Sequence, residues 1–139
     1  MTVRFEILEH AADVGFRAGG RSLEELFENA ALAVESIAMD IAAVEPRTEY
    51  LLAADGEDRE SLLINWLSEI VYYIDGPRVA MCRFEISELS ATSVRGKGWG
   101  EPRDPIRHPV RIVVKAVTYH QLRVQEEDGR WVAQVFLDI

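Results

Sequence analysis

Two groups of residues in this chain have the types that chemistry needs, and they lie at opposite ends of it. The first is Glu9-His10-Ala11-Ala12-Asp13-Val14-Gly15, a run that offers an imidazole, two carboxyl groups and a glycine. The second is Asp138-Ile139, where the α-carboxylate adjoins an acidic side chain. Two negative groups so close repel one another unless a cation or hydrogen-bond donors neutralise them. If the fold brings Asp13 beside them, the donors are oxygens only, which suits a hard cation such as Ca²⁺ or Mg²⁺ and not Zn²⁺. Three protein groups fall short of the roughly six to eight oxygens that Ca²⁺ prefers, so water must fill the rest of the shell. The plainer alternatives are a turn in which Asp13 accepts from nearby backbone N–H groups, and a solvated acidic patch at the other end.

Other chemistries find less support. Of the three histidines, His10 and His120 lie beside strand ends and His108 lies in a Gly- and Pro-rich stretch, with no His-Glu-x-x-His spacing on one helix face. No Gly-x-Ser-x-Gly elbow accompanies the serines, and Gly96-Lys97-Gly98 is too short for a phosphate loop and lacks the helix that should follow it. The carboxylates leave a metal-dependent hydrolase as the enzyme reading. Lys115 lies within an apolar run, where it either snorkels to an edge or pairs with a carboxylate. Cys82 is the single cysteine, which excludes an internal disulfide, fits a reducing compartment and reads as a small buried hydrophobe.

The elements that must position these groups follow from periodicity. Val3, Phe5 and Ile7, then Val14, Phe16 and Ala18, recur every second residue and predict two strands joined at the first acidic run. Ser22-Leu23-Glu24-Glu25 has the capping-box form and starts a helix whose apolar stripe runs from Leu23 to Ala38, leaving Glu24, Glu28 and Glu35 outside. Thr48 to Ala54 reads as a strand. Asp55-Gly56-Glu57-Asp58 is a turn and helix cap, and a second helix runs to Asp75, where Gly76-Pro77 stops it. From Val79 the period becomes two, with strand positions at Phe84 and Ile86, Val94, Val110 to Val114, Leu122 and Val124, and Val132 to Phe136. Asp128-Gly129 marks a two-residue hairpin. Gly96 to Pro109, carrying Trp99, Glu101, Arg103, Asp104, Arg107 and His108, reads as an exposed loop. The expected fold is α+β, a twisted, largely antiparallel mixed sheet with two helices packed on one face, and residues 1–139 form one domain.

Composition narrows the function classes. A chain of 139 residues that is 48% hydrophobic can bury one sizeable core. Its 24 acidic and 15 basic residues give a net charge of −9, a field that repels phosphate backbones and disfavours direct nucleic-acid binding. Acidity is also a common solubility device. No run approaches the ~18 apolar residues of a membrane span and no secretory leader is recognisable, so the expected location is the cytoplasm. Self-association into a homo-oligomer is compatible with the sequence.

Taken together, these motifs resemble the archease family. Glu9-His10-Ala11-Ala12-Asp13-Val14-Gly15 is similar to the family's Glu-His-Thr-Ala-Asp-Ile/Val-Gly segment, departing at Ala11, which removes a hydroxyl but no charged group. Leu23 to Ala31, Leu63 to Glu69, Val114 to His120 and the terminal Asp138-Ile139 are similar as well, so the resemblance covers nearly the whole chain. It implies a non-catalytic protein cofactor that activates an RtcB-type tRNA-splicing RNA ligase, promoting its guanylylation and multiple turnover and broadening its nucleotide choice. It also implies a divalent-cation site, most often calcium, whose matching positions are Asp13, Asp138 and Ile139, the last through its terminal carboxylate. His10, Lys115 and His120 flank these positions as candidates for partner contact or for supporting the ligands. A chaperone or specificity modulator of another RNA-modifying enzyme, such as a tRNA methyltransferase, is the alternative role.

Overall fold

The computed structural model describes residues 4–9 and 13–139 of the chain. In order these are β1 (Phe5–Glu9), β2 (Asp13–Gly20), α1 (Leu23–Ala38), a 3₁₀ turn (Ile41–Ala43), β3 (Thr48–Asp55), α2 (Arg59–Asp75), β4 (Val79–Leu89), β5 (Ser93–Pro102), β6 (Ala116–Glu127) and β7 (Arg130–Asp138). The α+β class holds, and every described strand pairing is antiparallel. The strands divide into two sheets rather than one, in the orders β1-β2-β7-β6 and β3-β5-β4. Both helices touch both sheets: α1 packs on β2 and β4, and α2 on β6 and β3. Val14, Phe16, Phe27, Leu67, Trp66, Met81, Val135 and Leu137 meet in the resulting hydrophobic cluster. Val3, His10 and Ala11 lie outside the described residues.

Each helix begins where its capping residues predict. Ser22 Oγ accepts from the Glu25 N–H at 3.1 Å, and the Glu25 carboxylate reaches back to the Arg21 N–H, one residue before the cap. At α2, Asp58 accepts from the Ser61 N–H while Ser61 Oγ accepts from the Asp58 N–H, a closed capping box.

The face of α1 differs from expectation at two glutamates. Glu35, expected outside, is fully buried, and its Oε1 accepts from the Met81 N–H at 3.2 Å. Two turns earlier, the half-buried Glu28 accepts from the Ile86 N–H at 2.9 Å. Both N–H groups belong to β4, an edge strand whose pairing with β5 slips between Met81 and Arg83 and again between Ile86 and Glu88. Bulges leave edge N–H groups without ladder partners, and an unpaired edge invites another chain. The two glutamates close that edge from the helix side. Burial pushes the Glu35 carboxyl well above the usual carboxylate range, against the opposing pull of the Met81 N–H and the nearby Arg103 guanidinium.

The expected loop from Gly96 to Pro109 is also corrected. Its first part is β5, the central strand of the smaller sheet, and Trp99 carries the Arg83 guanidinium 4.4 Å above its ring. The irregular stretch is 103–115, and it includes the alternating residues Val110, Ile112 and Val114 that predicted a strand. There the backbone finds partners outside any ladder, the Arg111 N–H donating to the Ala38 carbonyl at 2.8 Å. Asp128 and Gly129, at φ 52° and 78°, turn the chain between β6 and β7 as the dipeptide predicts.

Candidate functional site

The four-stranded sheet brings the two acidic ends together. In the β2–β7 ladder Asp13 stands directly opposite Asp138, and on the other side of β7 the residue opposite Asp138 is Ala116. Val14, Phe16 and Ala18 point into the core, as do Ala133, Val135 and Leu137, so Asp13 and Asp138 share the face turned away from it. Residues directly opposite in an antiparallel pair hold their Cβ atoms about 4.5–5.5 Å apart, and like charges placed so destabilise the pair. Asp138 and Ile139 are exposed and Asp13 is partly buried. Among the described residues no three His, Cys, Asp or Glu side chains gather as a metal-binding group. The acidic pair supplies two carboxylates, and Ile139, next in the chain to Asp138, adjoins them. That set is all oxygen, which fits a hard cation with open positions for water.

The next row of the same face explains the glycine of the motif. Gly15 stands opposite Phe136, and Phe136 opposite Thr118. The Phe136 ring lies across Gly15 so closely that a Cβ there would meet its Cε1 at 2.6 Å. The Thr118 hydroxyl donates to the Phe136 carbonyl at 2.9 Å. Beyond Thr118 the register slips, Tyr119 to Leu122 standing opposite Val135 alone, with Gln121 at φ 50°. This bulge carries His120 to the edge of the Phe136 ring, centroids 5.7 Å apart. His120 is therefore on the same face as the acidic pair, one row removed. Neither Phe136 nor the bulge was legible in the sequence; only Gly15, a small residue within an apolar alternation, gave a signal.

Lys115 precedes β6 rather than lying within an apolar strand. Its side chain is exposed, and its backbone N–H donates to the Asp138 carbonyl at 2.8 Å, which fixes the last strand beside the acidic pair. His10 lies outside the described residues.

A second polar cluster, missed in the sequence, is buried elsewhere. Glu101 is only 4% exposed and His108 1%, where an exposed loop was expected. The Arg107 guanidinium grips the Glu101 carboxylate with two hydrogen bonds, at 3.0 and 2.7 Å, and the Glu45 N–H adds another at 2.8 Å. These donors, Arg107 foremost, hold the Glu101 carboxyl down to about 2. The Asp104 N–H donates to His108 Nδ1 at 2.9 Å, which puts the imidazole proton on Nε2, facing Glu101 at 3.0 Å. Through these bonds the cluster ties 103–115 to β5.

Comparisons with known proteins fall along the whole of this fold. The family model described as Archease protein family (MTH1598/TM1083) matches residues 5–139. The protein archease of Methanopyrus kandleri is 42% identical over 138 residues, covering 97% of this chain and 99% of the relative. That of Sulfolobus acidocaldarius is 39% identical over 137 residues, covering 98% and 99%. The solution structure of Methanobacterium thermoautotrophicum protein 1598 superposes with a TM-score of 0.83 at 36% identity, over 98% of this chain and 99% of that one. The crystal structure of a Thermotoga maritima protein, described as an archease and possible chaperone, matches at TM-score 0.68 and 21% identity, over 95% and 94%, and bears on the fold alone.

Proposed function

This chain belongs to the archease family, and we propose from that footing that it is a non-catalytic protein cofactor of an RtcB-type tRNA-splicing RNA ligase, promoting guanylylation and multiple turnover of that enzyme in the cytoplasm. The observation that carries the reading is the cross-strand pairing of Asp13 with Asp138, which concentrates negative charge on one open sheet face beside Ile139. Asp13, Asp138 and the Ile139 terminal carboxylate would hold a divalent cation, and their all-oxygen donor set suits Ca²⁺, with water completing its shell. Such a cation would supply positive charge where phosphate oxygens gather. The protein's own part is to fix the two carboxylates in one ladder position, anchor Asp138 through the Lys115 N–H, and stiffen the site's floor with Phe136 packed over Gly15. His120 stands beside that floor as a candidate contact with the ligase.

Among the described residues no helix is long and apolar enough to cross a membrane. The net charge of −9 favours a basic protein surface as partner over direct contact with RNA. The same charge also serves the second reading, a chaperone or specificity modulator of another RNA-modifying enzyme such as a tRNA methyltransferase. Single-turnover guanylylation of an RtcB-type ligase by GTP tests the first. Wild-type protein accelerates it, while Asp13→Ala, Asp138→Ala and a variant with one residue appended after Ile139 lose the acceleration. Unchanged acceleration by all three removes the acidic pair from the mechanism. Recovery of a different RNA-modifying enzyme in a pull-down, with no effect on the ligase, selects the second reading.

A further inference from the structure

A cleft of about 500 Å³ lies away from the acidic pair, floored by α1 and walled by β4 on one side and by Arg4 and Arg130 on the other. Arg4, Arg21, Arg83 and Arg130 all line it, against Glu25 and Glu28. In a chain with only 15 basic residues and a net charge of −9, this convergence is a local reversal of sign. Both glutamates are already engaged, Glu25 with Arg21 at 3.5 Å and Glu28 with the Ile86 N–H. Arg83 is held by Trp99 beneath it and by Glu85 at 3.8 Å. Arg4 and Arg130 form no salt bridge among the described residues, and the Arg4 carbonyl accepts from the Gly19 N–H at 3.1 Å, which anchors its backbone at the rim.

Guanidinium groups brought together without matching carboxylates repel one another, and an anion that bridges them relieves the repulsion. The lining side chains carry a surplus of two positive charges, which falls to one when the Glu85 partner of Arg83 is counted, and a phosphate group of about −1.5 to −2 near pH 7 complements it. The volume is that of a small-molecule site. An acidic peptide adding as a strand is disfavoured, because β4 has lost the edge N–H groups of Met81 and Ile86 to Glu35 and Glu28.

We propose that this cleft is a binding site for a small phosphate-bearing anion, with Arg4, Arg83 and Arg130 as its guanidinium donors. It is independent of the cation role assigned to the acidic pair. Thermal unfolding of the full chain tests it, in EDTA so that no divalent cation takes part, with inorganic pyrophosphate and a nucleoside diphosphate as probes. At least one probe raises Tm saturably; tighter binding of the nucleotide names nucleotides as the source, and equal binding names free phosphates. The double variant Arg4→Gln/Arg130→Gln, which breaks no salt bridge among the described residues, keeps the unliganded Tm and weakens binding by about tenfold or more. The pair Arg17→Gln/Arg123→Gln on the four-stranded sheet leaves binding unchanged. The proposal fails if neither probe raises Tm, if the cleft variant binds as well as wild type, if the control pair abolishes binding, or if a poly-glutamate peptide competes more tightly than pyrophosphate.

Discussion

Phe136 and Glu35 are the two residues whose surroundings make the sharpest demands. Because the Phe136 ring occupies the space above Gly15, Gly15→Ala forces the ring or the β2–β7 ladder to move, and overpacking of this kind costs about 1–3 kcal/mol. Urea denaturation should show that loss, and a variant as stable as wild type would mean the ring is free to swing aside. At Glu35 the sign of the pH dependence follows from burial. The folded state holds the proton to higher pH than the unfolded chain does, so above the unfolded value near 4.5 unfolding releases protons and stability falls as pH rises towards the folded value. Glu35→Gln keeps an acceptor for the Met81 N–H and removes the titration. Its unfolding free energy should therefore decline less than that of wild type as pH rises above 4.5; identical slopes would mean that Glu35 has no part in the pH dependence.

Among the elements, the caps, the hairpin turn and the helix stripes were readable because each depends on neighbours in sequence. Ser22, Asp58 and Asp128-Gly129 act where periodicity places them. What escaped depends on partners far along the chain. Glu35 looks like a solvent-facing glutamate until β4 brings a bulged N–H to it, and Gly96, Gly98 and Gly100 look like a loop until β5 is seen pressed between β3 and β4. Val110, Ile112 and Val114 alternate as a strand does, yet among the described residues no strand pairs with them. The stretch 103–115 is held instead through Glu101, Arg107 and His108. A carboxyl lowered to about 2 in the folded state contributes stability that is present above the unfolded value and is lost as pH falls from about 4.5 through 2. Amide protection, taken relative to the intrinsic exchange rate at each pH, should accordingly be lost first in 103–115 on acidification, and Glu101→Gln should give the same loss of protection at neutral pH. Protection of 103–115 unchanged in that variant would show the cluster to be dispensable.

For the molecule as a whole, the fold's main consequence is that residue 13 and residue 138 become neighbours on one face. The sequence showed two acidic groups at opposite ends; only sheet order places them in one ladder position. With that pair as the proposed cation site, its contribution to stability changes sign when the cation binds. Without divalent ions the two carboxylates repel, so Asp13→Asn should be more stable than wild type by up to about 1 kcal/mol. With Ca²⁺ present the wild type gains binding free energy that the variant lacks, and the order of Tm values should invert. The most direct measurement is thus Tm against Ca²⁺ concentration for wild type and Asp13→Asn, starting from EDTA-treated protein. A crossing of the two curves is the predicted result; curves that rise in parallel, or stay flat in both, contradict a cation site at Asp13 and Asp138.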